Sequence, residues 1–233
     1  MLMRLRQNGF TFMELLVVII IFAIMTVIAL PNMSQWIAAR RSATQAENMA
    51  NLLRFARSEA VRLNLPVYVC PVQIKKDGNP DQYCNAAYSG QGVAAFADVN
   101  RDRMYTRKDD KPLRHVVINP TQNNRLDYIV EAYDFGKDKP KSGNNKYQAW
   151  IFLPDGTFGY SDAKGPKTPI DLENVGTGMI RLILTDKKAE NGSEKQARAT
   201  LAVIENNGRV KICPKHINNN QSGAASALCK LQF

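Results

Sequence analysis

The sequence predicts an α+β fold, a long N-terminal helix followed by a head of antiparallel strands. Three observations carry this. Residues 10–30 form an almost unbroken apolar run of helix-spanning length. Residues 31–64 keep a helical period with a small-residue face. Past Pro66 the pattern changes to short β-like runs separated by turn residues, and many strands after one long helix mean α+β.

The chain has 233 residues, room for one large domain or two small ones. A mean hydropathy of −0.30 excludes a polytopic membrane protein. That average hides an asymmetry: Leu15 to Leu30 is nearly all apolar, and the remainder is polar and rich in Asn, Lys and Asp. The net charge is +10. Such an excess suits anionic surfaces such as DNA or lipid headgroups, and equally a solvated basic surface that keeps the protein soluble.

Element by element, the chain opens with Met1 to Gly9, including Arg4 and Arg6, and then reads Phe10-Thr-Phe-Met-Glu14 before the apolar run. From Phe10 to Leu30 is 21 residues, roughly 30 Å as a helix and so about one bilayer core. The arginines before it should stay cytoplasmic and put the C-terminal bulk outside. A cleaved secretory signal is disfavoured, because no A-x-A site follows the core. Glu14 argues against a passive anchor, since an ionised carboxylate in hydrocarbon is costly and marks a functional partner. A new amino terminus at Phe10, made by cutting after Gly9, would supply the positive charge.

Pro31 lacks a backbone donor and clashes with the preceding turn, which predicts a kink. Beyond it, Trp36, Ala39, Ala43, Ala46, Ala50, Leu53, Ala56, Ala60 and Leu63 recur at steps of three and four. Arginines and glutamates occupy mainly the other positions. The apolar face should pack on the protein's own sheet in its C-terminal half and on other subunits nearer the N-terminus. The helix should end near Asn64, before Leu65-Pro66.

Strands are expected at Val67–Cys70, Gly92–Ala97, Leu113–Ile118, Tyr147–Leu153, Gly178–Leu184, Ala199–Ile204 and Arg209–Ile212. Turn signals lie at Asp77-Gly78, Pro154-Asp155-Gly156 and Asn206-Asn207-Gly208. The expected divisions are therefore 1–9 as leader, 10–30 as membrane or filament-core helix, 31–64 as amphipathic helix and 65–233 as β-rich head.

The four cysteines, Cys70, Cys84, Cys213 and Cys229, form two local pairs by position. An even count after an export-like segment favours disulfides, and pairing across the two ends stays open. Zinc usually shows tighter spacing or nearby histidines. The only histidines are His115 and His216, neither with a recognisable catalytic companion. The sequence therefore points to no enzyme and no cofactor. Asp98-Val-Asn100-Arg-Asp102, with Asp109 at the twelfth position, has calcium-like spacing. Arg103 stands where such a loop needs glycine, which favours a polar hairpin.

Gly9-Phe10-Thr11-Phe12-Met13-Glu14-Leu15-Leu16-Val17-Val18 resembles the class III signal of type IV pilins and pseudopilins. The resemblance implies cleavage after Gly9 by a prepilin peptidase, N-methylation of Phe10, and a role for Glu14 in pairing with the terminal amine of a neighbouring subunit. Asn51 to Arg62, the Pro154-Asp-Gly-Thr-Phe-Gly159 turn and the Gly208-Arg-Val-Lys-Ile-Cys-Pro214 ending resemble the GspH/FimT group of minor pilins, and within it the PilH/FimT type. That likeness implies a low-abundance subunit that primes filament assembly with other minor and major pilins, near a tip. It would be anchored in the inner membrane first and reach the pilus or cell surface later. A type II secretion pseudopilin is the alternative with the same fold. Arg209 and Lys211 match the basic positions of a GRxR motif that some FimT-like relatives use for DNA in transformation, with Lys in place of the last Arg. Lys215 and Lys230 would add phosphate contacts. DNA and a tip adhesin are thus further candidate partners.

Overall fold

The computed structural model describes residues 10–81, 83–106, 108–120, 124–137, 139–141, 146–163, 165, 168–171, 174–213 and 228–229, without the side chains of residues 28–32. The chain divides into two compact units, residues 1–37 and residues 38–233. The helix α1, Phe12–Leu63, contributes to both, and its backbone is helical through position 31.

α1 starts where its sequence provides a cap. The Thr11 hydroxyl accepts a hydrogen bond from the Glu14 N–H at 3.3 Å, satisfying one orphan donor of the first turn. It ends at Leu63 because Asn64 turns left-handed, with φ of 53°, ahead of Pro66.

Among the described residues of 38–233, nine strands form two antiparallel sheets. β1 (Val67–Pro71), β2 (Gly92–Ala97), β3 (Lys111–Val117), β5 (Ala149–Phe152) and β6 (Phe158–Ser161) make the first, in the order β3-β2-β1-β5-β6. β4 (Leu126–Asp134), β7 (Gly178–Asp186), β8 (Thr200–Ile204) and β9 (Val210–Ile212) make the second, in the order β4-β7-β8-β9. A short helix α2, Gly192–Arg198, is capped by the Asn191 side chain.

The two-residue period of the strands sorts side chains into separate cores. Val67, Val69, Trp150, Phe152, Leu182, Leu184 and Ala202 join Ala46, Met49, Ala50, Leu53, Ala56 and Ala60 of α1 in the main core. The alternate residues Tyr68, Cys70, Phe96 and Ile151 build a second cluster beyond the first sheet. Tyr133, Met179, Leu201, Val203, Cys213 and Leu228 build a third beyond the second sheet. The small residues of α1 let one helix serve both sheets in a single core.

The expected α+β class holds, and all seven expected strands form with slightly shifted ends. β4, β6 and α2 were not expected, and the head has two sheets. The helix face also differs at its start. Trp36 is 66% exposed, Ala39 and Ala43 are half-buried, and Ala38, Ser42 and Met49 are buried. Ser42 is tolerated inside because its hydroxyl donates to the Arg198 carbonyl.

Candidate functional site

Two regions carry chemistry that the fold alone does not require. The first is the N-terminal part of α1. Phe10 is 83% exposed, and every described side chain from residue 10 to 27 is exposed within this single chain. Glu14 sits in the first helical turn, where a carboxylate also favours the helix dipole. Gly9, Arg4 and Arg6 lie outside the described residues. Among the described residues no helix is long and apolar enough to cross a membrane. The side chains of residues 28–32 are outside the described set, and the apolar run of the sequence continues to Leu30.

The second region is a groove of about 510 Å³ on residues 38–233, between the exposed face of α1 and the β8–β9 hairpin. It is lined by Arg54, Arg57, Ser58, Val61, Gly208, Arg209 and Val210. Two hairpin turns meet α1 here. The Pro154-Asp155-Gly156 turn joins β5 to β6, and the Arg57 Nε–H donates to the Gly156 carbonyl at 3.3 Å. The Asn206-Asn207-Gly208 turn joins β8 to β9, closed by the Gly208 N–H on the Glu205 carbonyl at 2.8 Å. Gly208 has φ of 75°, and an added Cβ would lie 2.9 Å from the Gly156 oxygen and 3.1 Å from Arg57 Nε. Arg54 donates to the Val210 carbonyl at 3.2 Å and to the Asn51 side chain at 3.2 Å. Among the described residues, Arg54, Arg57 and Arg209 form no ion pair with a carboxylate.

The two basic residues singled out near the C-terminus therefore part company. Arg209 is exposed and lines the groove. Lys211 is exposed on β9 and pairs with the Glu205 carboxylate at 2.6 Å. Lys215, Lys230 and His216 lie outside the described residues. By helical period Arg54 and Arg57 fall among the arginines at positions other than the apolar face. Their shared signal was present in the sequence as two arginines three residues apart and two glycine turns.

Both local cysteine pairs are bonded. Cys70–Cys84 has Cα atoms 5.5 Å apart and Cys213–Cys229 5.4 Å. The second holds Leu228 in the core outside β7 and β8, where the Leu228 carbonyl accepts from Arg181 at 3.4 Å. Arg181 also pairs with Glu131 at 2.5 Å, nearly buried, and Glu131 accepts from the Tyr133 hydroxyl at 3.0 Å. Burial pushes the Tyr133 phenol up to about 12.

The Asp98–Asp110 loop uses its carboxylates on its own backbone. Asp98 accepts from the Asp102 and Arg103 N–H groups, and Asp110 from those of Val99 and Thr106. Desolvation nevertheless holds both carboxyls above the usual aspartate range. Among the described residues no group of three or more His, Cys, Asp or Glu side chains is placed to hold a metal. His115 sits half-buried on β3 opposite Ala94.

One long N-terminal helix serving antiparallel sheets, with a processing-type segment at its start, is the pilin-like α+β architecture. The family described as Type II transport protein GspH matches residues 45–188, and the Prokaryotic N-terminal methylation motif matches residues 4–30. The first match spans well over half of the chain, and the chain belongs to the GspH family, the group of minor pilins and pseudopilins that its sequence resembles. Among solved structures it is similar to the type IV minor pilin FimU of Pseudomonas aeruginosa, at 13% identity over 76% of this chain and 90% of that one, with a TM-score of 0.41. It is also similar to the minor pseudopilin EpsH from the Type 2 Secretion System of Vibrio cholerae, at 12% identity over 74% and 95% of the two chains, with a TM-score of 0.39. No curated protein matches.

Proposed function

We propose that this chain is a minor filament subunit that primes assembly of a type IV pilus with other minor and major pilins, near the tip. The observation that carries the reading is the exposed apolar stretch of α1 headed by Glu14, within the matched methylation motif. A stretch of this kind needs apolar surroundings, first lipid and then the helices of neighbouring subunits. Residues 10–30 then act as a single-pass anchor in the inner membrane, with the head on the far side. Cleavage between Gly9 and Phe10 by a prepilin peptidase, with methylation of Phe10, gives the amine that Glu14 of an adjoining subunit pairs with. Pro31 loosens the helix by removing one backbone donor, which lets residues 10–30 adjust to packing.

The test is Glu14→Ala. Processing and membrane insertion should persist while incorporation into filaments drops severalfold or more, read by immunoblot of sheared pili. Unchanged incorporation would remove the proposed role of Glu14. A secretion pseudopilin has the same fold and helix, and loss of secretion with intact pili in a deletion strain would select it. A DNA-binding role gains no support from Lys211, which Glu205 already neutralises.

A further inference from the structure

We infer that the groove between α1 and the β8–β9 hairpin is a docking site for an acidic protein segment, one carrying an apolar side chain beside its carboxylates. The inference rests on the filament-subunit reading only for where such a segment comes from, namely another subunit.

Three features define the occupant. The first is charge. Arg54, Arg57 and Arg209 converge on one groove, and none has a carboxylate partner among the described residues. Several other basic side chains of the head are matched at short range: Lys211 by Glu205 at 2.6 Å, Arg62 by Glu59 at 2.6 Å, and Arg181 by Glu131 at 2.5 Å. The second is donor geometry. Arg57 spends Nε on the Gly156 carbonyl, which fixes its guanidinium in the groove lining. Arg54 is similarly held by Val210 and Asn51. Guanidinium groups fixed in this way suit the two-oxygen face of a carboxylate. The third is the lining, which is more apolar than polar. Val61 is 56% exposed there beside Val210 and the arginine stems.

The same features weigh against a nucleic-acid track. A phosphate backbone rewards basic groups spread along its path. Here the basic residues next in sequence to the lining, Arg62 and Lys211, are both already paired with glutamates. A compact arginine cluster beside apolar side chains fits a carboxylate and its neighbouring apolar side chain better than a charged polymer.

The experiment uses the full chain in a neutral detergent and a fluorescent, terminally blocked ten-residue peptide of Glu, Asp and Gly with one central Leu. Binding is followed by fluorescence anisotropy at low salt. Arg54→Gln and Arg209→Gln should each weaken binding at least fivefold, Leu→Gly in the peptide should weaken it severalfold, and Lys211→Gln should change it less than twofold. Arg57→Lys, which keeps the charge, tests the same site if Arg57→Gln fails to fold, and circular dichroism reports folding of every variant. No binding below millimolar peptide overturns the inference. So does equal binding by Arg54→Gln, or a 20-mer oligonucleotide that binds more tightly with the same variant pattern. Failure of the filament reading would appear separately, as normal incorporation of Glu14→Ala.

Discussion

Gly208→Ala tests whether the two hairpin turns are seated on Arg57 as the geometry requires. Two penalties act together. At φ of 75° an alanine is in the left-handed region, which costs about 1–2 kcal/mol. Its Cβ would also stand 2.9 Å from the Gly156 backbone oxygen and 3.1 Å from Arg57 Nε. The carbonyl is fixed in its own turn, so the contact cannot relax by a side-chain rotation, and overpacking of this kind costs about 1–3 kcal/mol. The sum is about 2–5 kcal/mol. At about 2–4 °C per kcal/mol for a domain of this size, a mid-range cost of about 3 kcal/mol lowers Tm by about 6–12 °C. Gly78→Ala is the matched control. Its φ is 81° and nothing lies within 4 Å of an added Cβ, so only the backbone penalty of about 1–2 kcal/mol remains. Thermal melts of the full chain in neutral detergent, followed by near-UV circular dichroism of the packed aromatics, compare the two. Equal Tm losses for Gly208→Ala and Gly78→Ala would refute the claim that Gly208 is fixed by close approach to Gly156 and Arg57.

Other outcomes follow from the same structure. Replacing Cys213 and Cys229 by serine should lower stability by about 3 kcal/mol, the loop-entropy value for a separation near 16 residues, measured by urea unfolding with and without reductant. Glu131→Gln leaves Arg181 nearly buried with a weakened partner and should cost about 2–4 kcal/mol, whereas Arg181→Met with Glu131→Leu should recover much of it in a double-mutant comparison. Asp98 and Asp110 have folded values raised above their unfolded ones, so the fold binds their protons more tightly than the unfolded chain does. Their contribution is fully present below the ordinary aspartate value and is lost as pH rises through the raised values. The double variant Asp98→Asn, Asp110→Asn should therefore show a different pH slope of Tm across that window, and identical slopes would dismiss the assignment.

The most legible strands are those whose apolar runs are unbroken, such as Val67-Tyr-Val-Cys and Thr200-Leu-Ala-Val-Ile. β4 was hidden because Asp127 and Glu131 interrupt Leu126-Asp-Tyr-Ile-Val-Glu-Ala-Tyr. The alternation is nevertheless there: Leu126, Tyr128, Val130 and Ala132 are buried, and the residues between them are half-buried. Glu131 can stand in the strand because Arg181 lies directly opposite in register on β7. Pairs of this kind come from distant sequence, and neither half signals the other. Trp36 stands exposed in the part of the helix whose apolar face is expected to meet other subunits. Hydrophobic periodicity ranks a tryptophan above an alanine, yet close packing of α1 on two sheets favours Ala38, Ser42 and Ala46, which leave room for the strands. The site was legible in the same uneven way. Arg209 could be read from its motif. The partners of Arg57 and Arg54 lie 99 and 156 residues away along the chain, and only folding places them together.

The charge of the chain takes on a different meaning once its partners are known. A formal +10 spread over a solvated surface would favour anions of every kind weakly and would fade with salt. On the described head two sets of basic side chains can be contrasted. One set is matched by carboxylates placed from neighbouring strands or helical turns, as for Arg41 with Asp186, Arg198 with Glu194 and Lys211 with Glu205. Arg54 and Arg57 of the groove form the other, held by backbone carbonyls that orient them without neutralising them. A carbonyl fixes a guanidinium and leaves its charge in place, so the orientation is settled before an anion arrives and less ordering entropy is lost on binding. Arg57 does this at a point where a turn from each sheet reaches α1. The contact that assembles the head is therefore also the contact that aims the charge, and a substitution that unseats the turns should weaken the groove even where it removes no arginine.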